Sequence, residues 1–466
     1  MTEIRSQQDT LTGGTGTEFI SQSVTENELA ATEPQSKITR PYVKLACAGF
    51  SFFYAGTNDG TIGPLLPYIL RRYNVSTGLV TVIYGATFTG WVISALTNTH
   101  LTTTLRLSLG TTLTLGAILQ LASQLLRFWN PPFPLFAVTF LLTALGQAYQ
   151  DSFSNTFVAS LPVAHRWLGF IHAMYMLGCL TGPFIATPVA SNTKWYLTYA
   201  VEAGLGAVNL AFVLFAFGAD MLKARKTHHT AHREEIGTEL GQTIAPQSTP
   251  SNATTGNNPS NDTTRARNRQ AFQEIKQVLR LRSVWLLSMF YFFYLGAVIT
   301  VSGWVVEYLV QERSGSLSSI GYVPAALSGG GFLGRLLLAE PTHRFGERRM
   351  ILLYTVVCLA LQIMFWLIPN LVAGVVVYTA LGFFSGPFFA TGISVASKLC
   401  PKSIQSTALG FIFVLAQAGG SLFPTVTGVI AANAGVKVLQ PILVGLFVAT
   451  GVSWWLVPRT EKVREV

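Results

Sequence analysis

Charge is what this chain lacks. Lys, Arg, Asp and Glu make up 11% of its 466 residues, against about 25% in an average globular protein. Only 10 of the 176 residues from Val43 to Gly218 are charged, and a water-facing surface cannot be built from so few. This excludes a secreted scaffold, a disordered chain and most soluble enzymes. Cysteine is scarce as well. Cys47, Cys179, Cys358 and Cys400 lie in or beside apolar runs, where a thiol behaves as a small hydrophobe, and their spacing fits neither a disulfide framework nor a metal site. No Walker-type phosphate loop occurs, which argues against ATP-driven work by this chain. The first 40 residues are polar and rich in Ser, Thr and Glu, so no cleavable leader is expected.

Apolar sequence takes the place of charge, at 50% of residues with a mean hydropathy of +0.43. A helix needs about 20 apolar residues to cross roughly 30 Å of hydrocarbon. Twelve runs qualify: 43 to 70, 77 to 98, 106 to 126, 133 to 161, 167 to 190, 196 to 218, 285 to 310, 320 to 339, 350 to 368, 371 to 397, 405 to 431 and 437 to 457. The predicted class is an all-α membrane protein with twelve transmembrane helices in two six-helix bundles. The predicted order is a disordered tail (1–42), an N-terminal bundle (43–218), a largely disordered linker (219–284), a C-terminal bundle (285–457) and a short tail (458–466). The linker includes "TIAPQSTPSNATTGNNPSNDTT", which cannot support a packed core. Its far end, "FQEIKQVLRLRSVW", has the apolar spacing of a short surface helix.

The net charge of +10 is a topology signal. With the N-terminus in the cytoplasm, 25 Lys and Arg fall on the inner side and 6 on the outer, namely Arg71, Arg72, Arg127, Lys194, Arg313 and Lys437. The positive-inside rule then predicts cytoplasmic termini and linker in a multi-pass protein of the plasma membrane or an internal membrane. The basic balance is therefore assigned to the lipid surface, with no nucleic-acid partner.

The halves read as copies. "FFYAGTNDGTIGPLLPYIL" at 52–70 aligns on "FFYLGAVITVSGWVVEYLV" at 292–310 with six of nineteen positions identical. "TALG" recurs at 143–146 and 379–382, and "TH" at 99–100 and 342–343. Six plus six helices in parallel repeat describe a transporter with its site between the bundles.

Two acids stand in the apolar interior, where a charge costs about 2.5 to 3.5 kcal/mol on insertion scales. Asp59 follows Asn58 in the first run. Asp151 shares a four-residue repeat with Thr143, Gln147 and Asn155 in the fourth, a spacing that puts them on one helix face. At the repeat offsets their counterparts are Ile299 and Pro387, so the acids belong to one half only. A residue that the shared fold required would appear twice. Proton coupling at Asp59 and Asp151 is the expectation. The alternatives are a packing role through hydrogen bonds to the neighbouring amides, and direct substrate binding. His172 and Tyr175, one turn apart, could extend a polar substrate site that includes Asn58, Gln147 and Asn155, or be packing residues. Tyr54 and Trp304 could stack on a ring or pack between helices. Glu202 and Glu307 are expected to reach water near the outer ends, where a gating role is open to them. The helices offer one central His and no metal or nucleophile–base spacing, so no metal, no cofactor and no enzyme activity are expected.

The sequence resembles the major facilitator superfamily, and within it the fucose-permease-like proton symporter branch with its fungal relatives. The resemblance rests on "FFYAGTNDGTIGPLLPYI", "FFYLGAVITVSGWVVEYL", "GFFSGPFFATGISVASKLCP" and "GFIFVLAQAGGSLFP". It implies the major facilitator fold, alternating access in a monomer, and acids in the first and fourth helices that couple protons to a small-molecule, sugar-like substrate. The superfamily's inner-loop motif is partly present in "GRLLLAEPTHRFGERRM". Arg344, Gly346, Arg348 and Arg349 fit, and His343 stands where Asp is usual. A cytoplasmic gate pairing Glu340 with this cluster and a merely solvated basic turn are both open. "GCLTGPFIA" matches the start of an antiporter pattern at Gly178, Gly182 and Pro183, or reflects close helix packing. The function expected is a proton-coupled secondary transporter of a small organic solute; the alternatives are a proton-exchange exporter of drugs or metabolites, and a transporter-like sensor.

Overall fold

The computed structural model describes residues 40–103, 107–243, 273–313, 315–401 and 404–458. Nearly all of the tail expected at 1–42, the middle of the linker and residues 459–466 lie outside the described residues. Among those described, every regular element is helical. The first helix is Pro41–Tyr73, the second Thr77–Val80 continuing as Val82–Thr103, the third Leu109–Phe128, the fourth Phe133–Ala159, the fifth Ala164–Asn192 and the sixth Thr198–Thr243. The C-terminal set is Arg282–Arg313, Leu317–Ile320 with Val323–Leu337, Glu347–Leu367, Leu371–Ser385 with Phe388–Leu399, Gln405–Ala434 and Leu439–Leu456. We number these seventh to twelfth.

Nine described helices are long and apolar enough to cross a bilayer, or ten when Leu317–Leu337 is counted with Ala339–Phe345, bent by 53° from it. The two long helices left out of that number are the first and the fourth. These carry Asp59 and Asp151 and are more polar than the rest. The fold class agrees with the sequence reading. Two boundaries differ: the sixth helix continues through the first part of the expected linker to Thr243, and the seventh starts at Arg282. The expected surface helix is present at 273–280. It buries Val278, and its carbonyl at Leu279 accepts from Trp285 Nε1 at 2.9 Å.

The duplication extends to backbone detail. The second helix opens with a single turn capped by Ser76 and restarts after Thr81; the eighth opens with a single turn after Ser316 and restarts at Val323. Both first turns are displaced by the 240 residues of the sequence repeat. Short 3₁₀ turns, Trp195–Leu197 and Val436–Val438, precede the sixth and twelfth helices. The tenth helix is interrupted at Gly386 and Pro387, where proline can donate no backbone hydrogen bond.

One end of the molecule holds an ion pair between Lys44, at the start of the first helix, and Asp220 of the sixth. At the opposite end Tyr73 donates to Pro131 O at 2.7 Å and packs on Trp195. The two halves meet where the second helix packs on the eleventh and the fifth on the eighth. The first and seventh helices also touch: a Cβ on Gly63 would lie 2.1 Å from Ser302 O, so no larger residue fits this approach.

Candidate functional site

Asp59 is the centre of the polar interior. Its Oδ2 accepts from the Tyr175 hydroxyl of the fifth helix at 2.8 Å. Its Oδ1 accepts from Gln147 Nε2 of the fourth helix at 3.2 Å and from Asn58 Nδ2 at 3.1 Å. Gln147 Nε2 also reaches Ala55 O at 3.2 Å. Three neutral donors from three helices thus hold one carboxylate, with no ion pair to it among the described residues. Asp59 is nonetheless half-buried. Its donors come from the first, fourth and fifth helices, so it stands in the polar interior of the N-terminal bundle with part of its surface uncovered.

Asp151 is half-buried one turn beyond Gln147, with Asn155 as its polar neighbour. Residues on either side of it fix this orientation: Tyr149 shares a 2.7 Å hydrogen bond with Thr97, and Ser152 accepts from Asn98 Nδ2 at 2.7 Å, so the second helix covers the flanking face. The structure therefore brings Asn58, Asp59, Gln147 and Tyr175 into direct contact and leaves Asp151 with Asn155 as a separate pair on the same stripe.

The remaining sequence candidates fall elsewhere. The His172 ring lies between Phe52 and Phe389, each at 5.2 Å, and its backbone carbonyl accepts from Arg335 Nη1 of the eighth helix at 3.0 Å. It bridges the halves as a packed ring. Tyr54 and Trp304 form no stacking surface. Tyr54 is fully buried and Trp304 nearly so, with the indole Nε1 donating to Pro424 O at 3.0 Å. Glu202 and Glu307 do not reach water: they are 0% and 7% exposed, and Glu307 accepts from Gln311. In the basic turn Glu340 is exposed and forms none of the described ion pairs. The acid that works there is Glu347, bound to Lys398 at 2.8 Å and to Ser394. Arg348 donates to Trp455 O at 2.6 Å, Gly346 takes a positive φ of 99°, and Arg344 and Arg349 carry no described ion pair. Gly178 and Gly182 are used in packing the fifth helix on the first, since a Cβ on Gly178 would lie 2.1 Å from Phe53 O.

Sequence reasoning missed Arg127. Placed there in an outer loop, it is 1% exposed inside the N-terminal bundle. Its Nε donates to Thr139 at 2.7 Å, Nη2 to Thr143 at 2.8 Å and Nη1 to Asn58 Oδ1 at 3.1 Å, with the Phe140 ring 3.8 Å from the guanidinium carbon. Asn58 thus turns its oxygen to the cation and its N–H to Asp59, linking the two charges without direct contact. The signal was legible: Gln120, Gln124 and Arg127 recur at helical spacing on one face of the third helix. An apolar groove lined by Leu333, Val376 and Phe383 between the eighth and tenth helices has none of this chemistry.

A model of the Major Facilitator Superfamily matches residues 48–424 and, overlapping these, 342–466. The chain belongs to the Major Facilitator Superfamily. It is accordingly a multi-pass membrane transporter of small molecules, and not an enzyme. Among relatives of this superfamily member, Bypass of stop codon protein 6 of Saccharomyces cerevisiae is 25% identical over 478 positions, covering 99% of this chain and 92% of that protein. Among solved structures, a bacterial homologue of the human lysosomal transporter Spinster, inward-facing and unoccupied, superimposes with a TM-score of 0.63 at 14% identity, over 91% of this chain and 98% of its own. The transporter FucP in its outward conformation gives 0.57 at 17% identity, over 90% and 99%. A single-substitution variant of the E. coli fucose:proton symporter FucP gives 0.57 at 16%, over 91% and 100%. At these identities the structural likeness is one of fold.

Proposed function

We propose that this transporter moves a small polar, sugar-like solute by proton-coupled alternating access, with Asp59 as the principal proton carrier and Asp151 as its partner on the same polar stripe. The observation that carries the reading is the setting of the Asp59 carboxylate. Neutral donors alone touch it. A carboxylate fixed by a salt bridge is held in its charged form. One held by hydroxyl and amide groups can gain and lose a proton in place, and desolvation supplies the cost that makes its charge state matter to the surrounding helices. Asn58, Gln147, Asn155 and Tyr175 would position the acids and contact solute, with His172 at the seam between the halves. The sugar-like class follows the sequence resemblance to fucose-permease-like symporters, and FucP is itself a fucose:proton symporter.

The orientation proposed puts both termini in the cytoplasm. With Arg127 inside the bundle, the outer side keeps 5 of its 6 assigned cations against 25 on the inner side, which strengthens the positive-inside argument. The test is uptake and efflux of a radiolabelled panel of sugars and related polyols in proteoliposomes, with and without a pH gradient. Gradient-driven accumulation is expected for the wild type, and its loss in Asp59→Asn and Asp151→Asn. Full dependence on the gradient in both variants would overturn the reading.

A further inference from the structure

Glu202 lies one turn into the sixth helix and is 0% exposed, and neither of its carboxylate oxygens has a hydrogen-bond partner among the described residues. Such a group is costly in either form, and far more so when ionised. One turn before it the Tyr199 ring lies 5.4 Å from the Arg127 guanidinium carbon, and Arg127 binds the Asn58 that donates to Asp59. The titratable groups around it include Tyr54 of the first helix, whose hydroxyl would lie 2.7 Å from a Cβ on Gly206 one turn beyond Glu202, Tyr199 and Tyr73, both packed on Trp195, and Tyr175, which donates to Asp59. The Tyr54 hydroxyl is likewise buried without a partner.

Arg127 binds Thr139, Thr143 and Asn58 and makes an ion pair with neither acid. One guanidinium, always charged, therefore serves a buried carboxyl and a half-buried one. With both ionised, the cluster would carry a net negative charge in an apolar bundle. With one protonated it is neutral.

We propose that Glu202 is a second proton-carrying group, which holds a proton while Asp59 is ionised and gives it up when Asp59 is neutralised, so that Arg127 balances one carboxylate at a time. In the first state the charges are Arg127 plus and Asp59 minus, coupled through Asn58. In the second the proton is on Asp59, and Glu202 carries the negative charge. The cluster holds one proton in both states; with the proton on Asp59, the Tyr175 hydroxyl can turn from donor to acceptor. The inference rests on the proton role proposed for Asp59, and Glu202 is its charge-compensating positioning residue.

Infrared spectroscopy of the purified transporter in detergent tests it, because a protonated carboxyl has a carbonyl stretch separate from that of a carboxylate. In the wild type at neutral pH a protonated-carboxyl band is expected, and isotopic labelling of glutamate, but not of aspartate, should shift it. Glu202→Gln should abolish that glutamate band. Asp59→Asn, which imitates the neutral state of Asp59, should abolish it too by ionising Glu202. A glutamate band undiminished by Glu202→Gln, with Glu307→Gln as the control for the other buried glutamate, or the absence of the band from labelled wild-type protein, would overturn the proposal, and the labelling readout does not depend on any variant folding. Loss of the band in Asp59→Asn beside full gradient dependence of transport would instead sink the coupling reading and leave the shared proton standing.

Discussion

The two bundles are copies in backbone and opposites in interior chemistry. In the N-terminal bundle, Ser51, Asn209, Gln150 and Gln120 form one buried chain of side-chain hydrogen bonds at 2.8 to 3.0 Å. Asp59, Asn58, Gln124, Arg127 and Thr143 form another. In the C-terminal bundle rings pack together: Phe365 stacks on Tyr378 at 3.9 Å, and Phe290 packs on Trp454 at 4.7 Å. At the offset that aligns the fourth helix on the tenth, Thr139 meets Val375, Gln147 meets Phe383 and Asp151 meets Pro387. One sequence pattern folds equally well around either filling. The fold therefore does not require the polar residues, and their presence in one copy marks where charge is handled.

The largest effect should come from removing the buried cation. Arg127→Met leaves the ionised acid without its counter-charge and Asn58, Thr139 and Thr143 without their donor, which costs about 3 to 5 kcal/mol for a broken buried charge network. Arg313→Met in the C-terminal bundle removes a guanidinium that rests 4.5 Å from the Phe365 ring and donates to a backbone carbonyl, a contact worth about 1 kcal/mol. Thermal unfolding in micelles should separate the two clearly; equal shifts would erase the contrast. Next, Ile299→Asp places an acid where the second copy has no donors ready for it, at about 2.5 to 3.5 kcal/mol. Lower yield of monodisperse protein is expected, and wild-type behaviour would mean that either bundle tolerates an acid. Smaller again, Tyr175→Phe deletes one donor to Asp59, about 1.5 to 3 kcal/mol for a bond to a charged group, and should slow gradient-driven uptake about tenfold or more. Tyr294→Phe, whose hydroxyl donates to the Ser385 carbonyl at 3.2 Å, should leave that dependence unchanged.

Much of this was readable from sequence because bilayer physics is coarse. Length and apolarity located the helices, and the Phe-Phe-Tyr repeat at 52 and 292 announced a duplication that the broken second and eighth helices repeat in the backbone. The polar stripe at Gln147 and Asp151 was found by spacing. Arg127 and Glu202 escaped because each stands near a helix end, where a charge is ordinarily free to reach water. Nothing in the local sequence says that Phe140 and Tyr199 close over the guanidinium at 3.8 and 5.4 Å. Tyr54 and Trp304 misled for the reverse reason: an aromatic residue shows its type in sequence but not which neighbour claims it.

The smallest effect concerns the one side-chain amide pair that, among the described residues, is buried between helices of the C-terminal bundle. Gln362 Nε2 donates to Gln440 Oε1 at 2.6 Å, both residues are fully buried, and the Tyr378 hydroxyl beside them is already unpartnered. The pair is closed on itself, so Gln362→Leu alone strands Gln440 and should cost about 1 to 3 kcal/mol, whereas Gln362→Leu with Gln440→Leu removes both partners at similar volume and should return to within about 1 kcal/mol of wild type. Its N-terminal analogue cannot recover in this way. Removing Gln120 and Gln150 together leaves the Asn209 amide, which donates to Gln150 Oε1 at 3.0 Å, without an acceptor, so that double variant should stay about 1 to 3 kcal/mol below wild type. Melting temperatures of the two double variants decide whether the N-terminal polar interior is a connected network or a set of separable pairs: recovery in both would make it the latter, and the difference between the bundles would then be one of amount only.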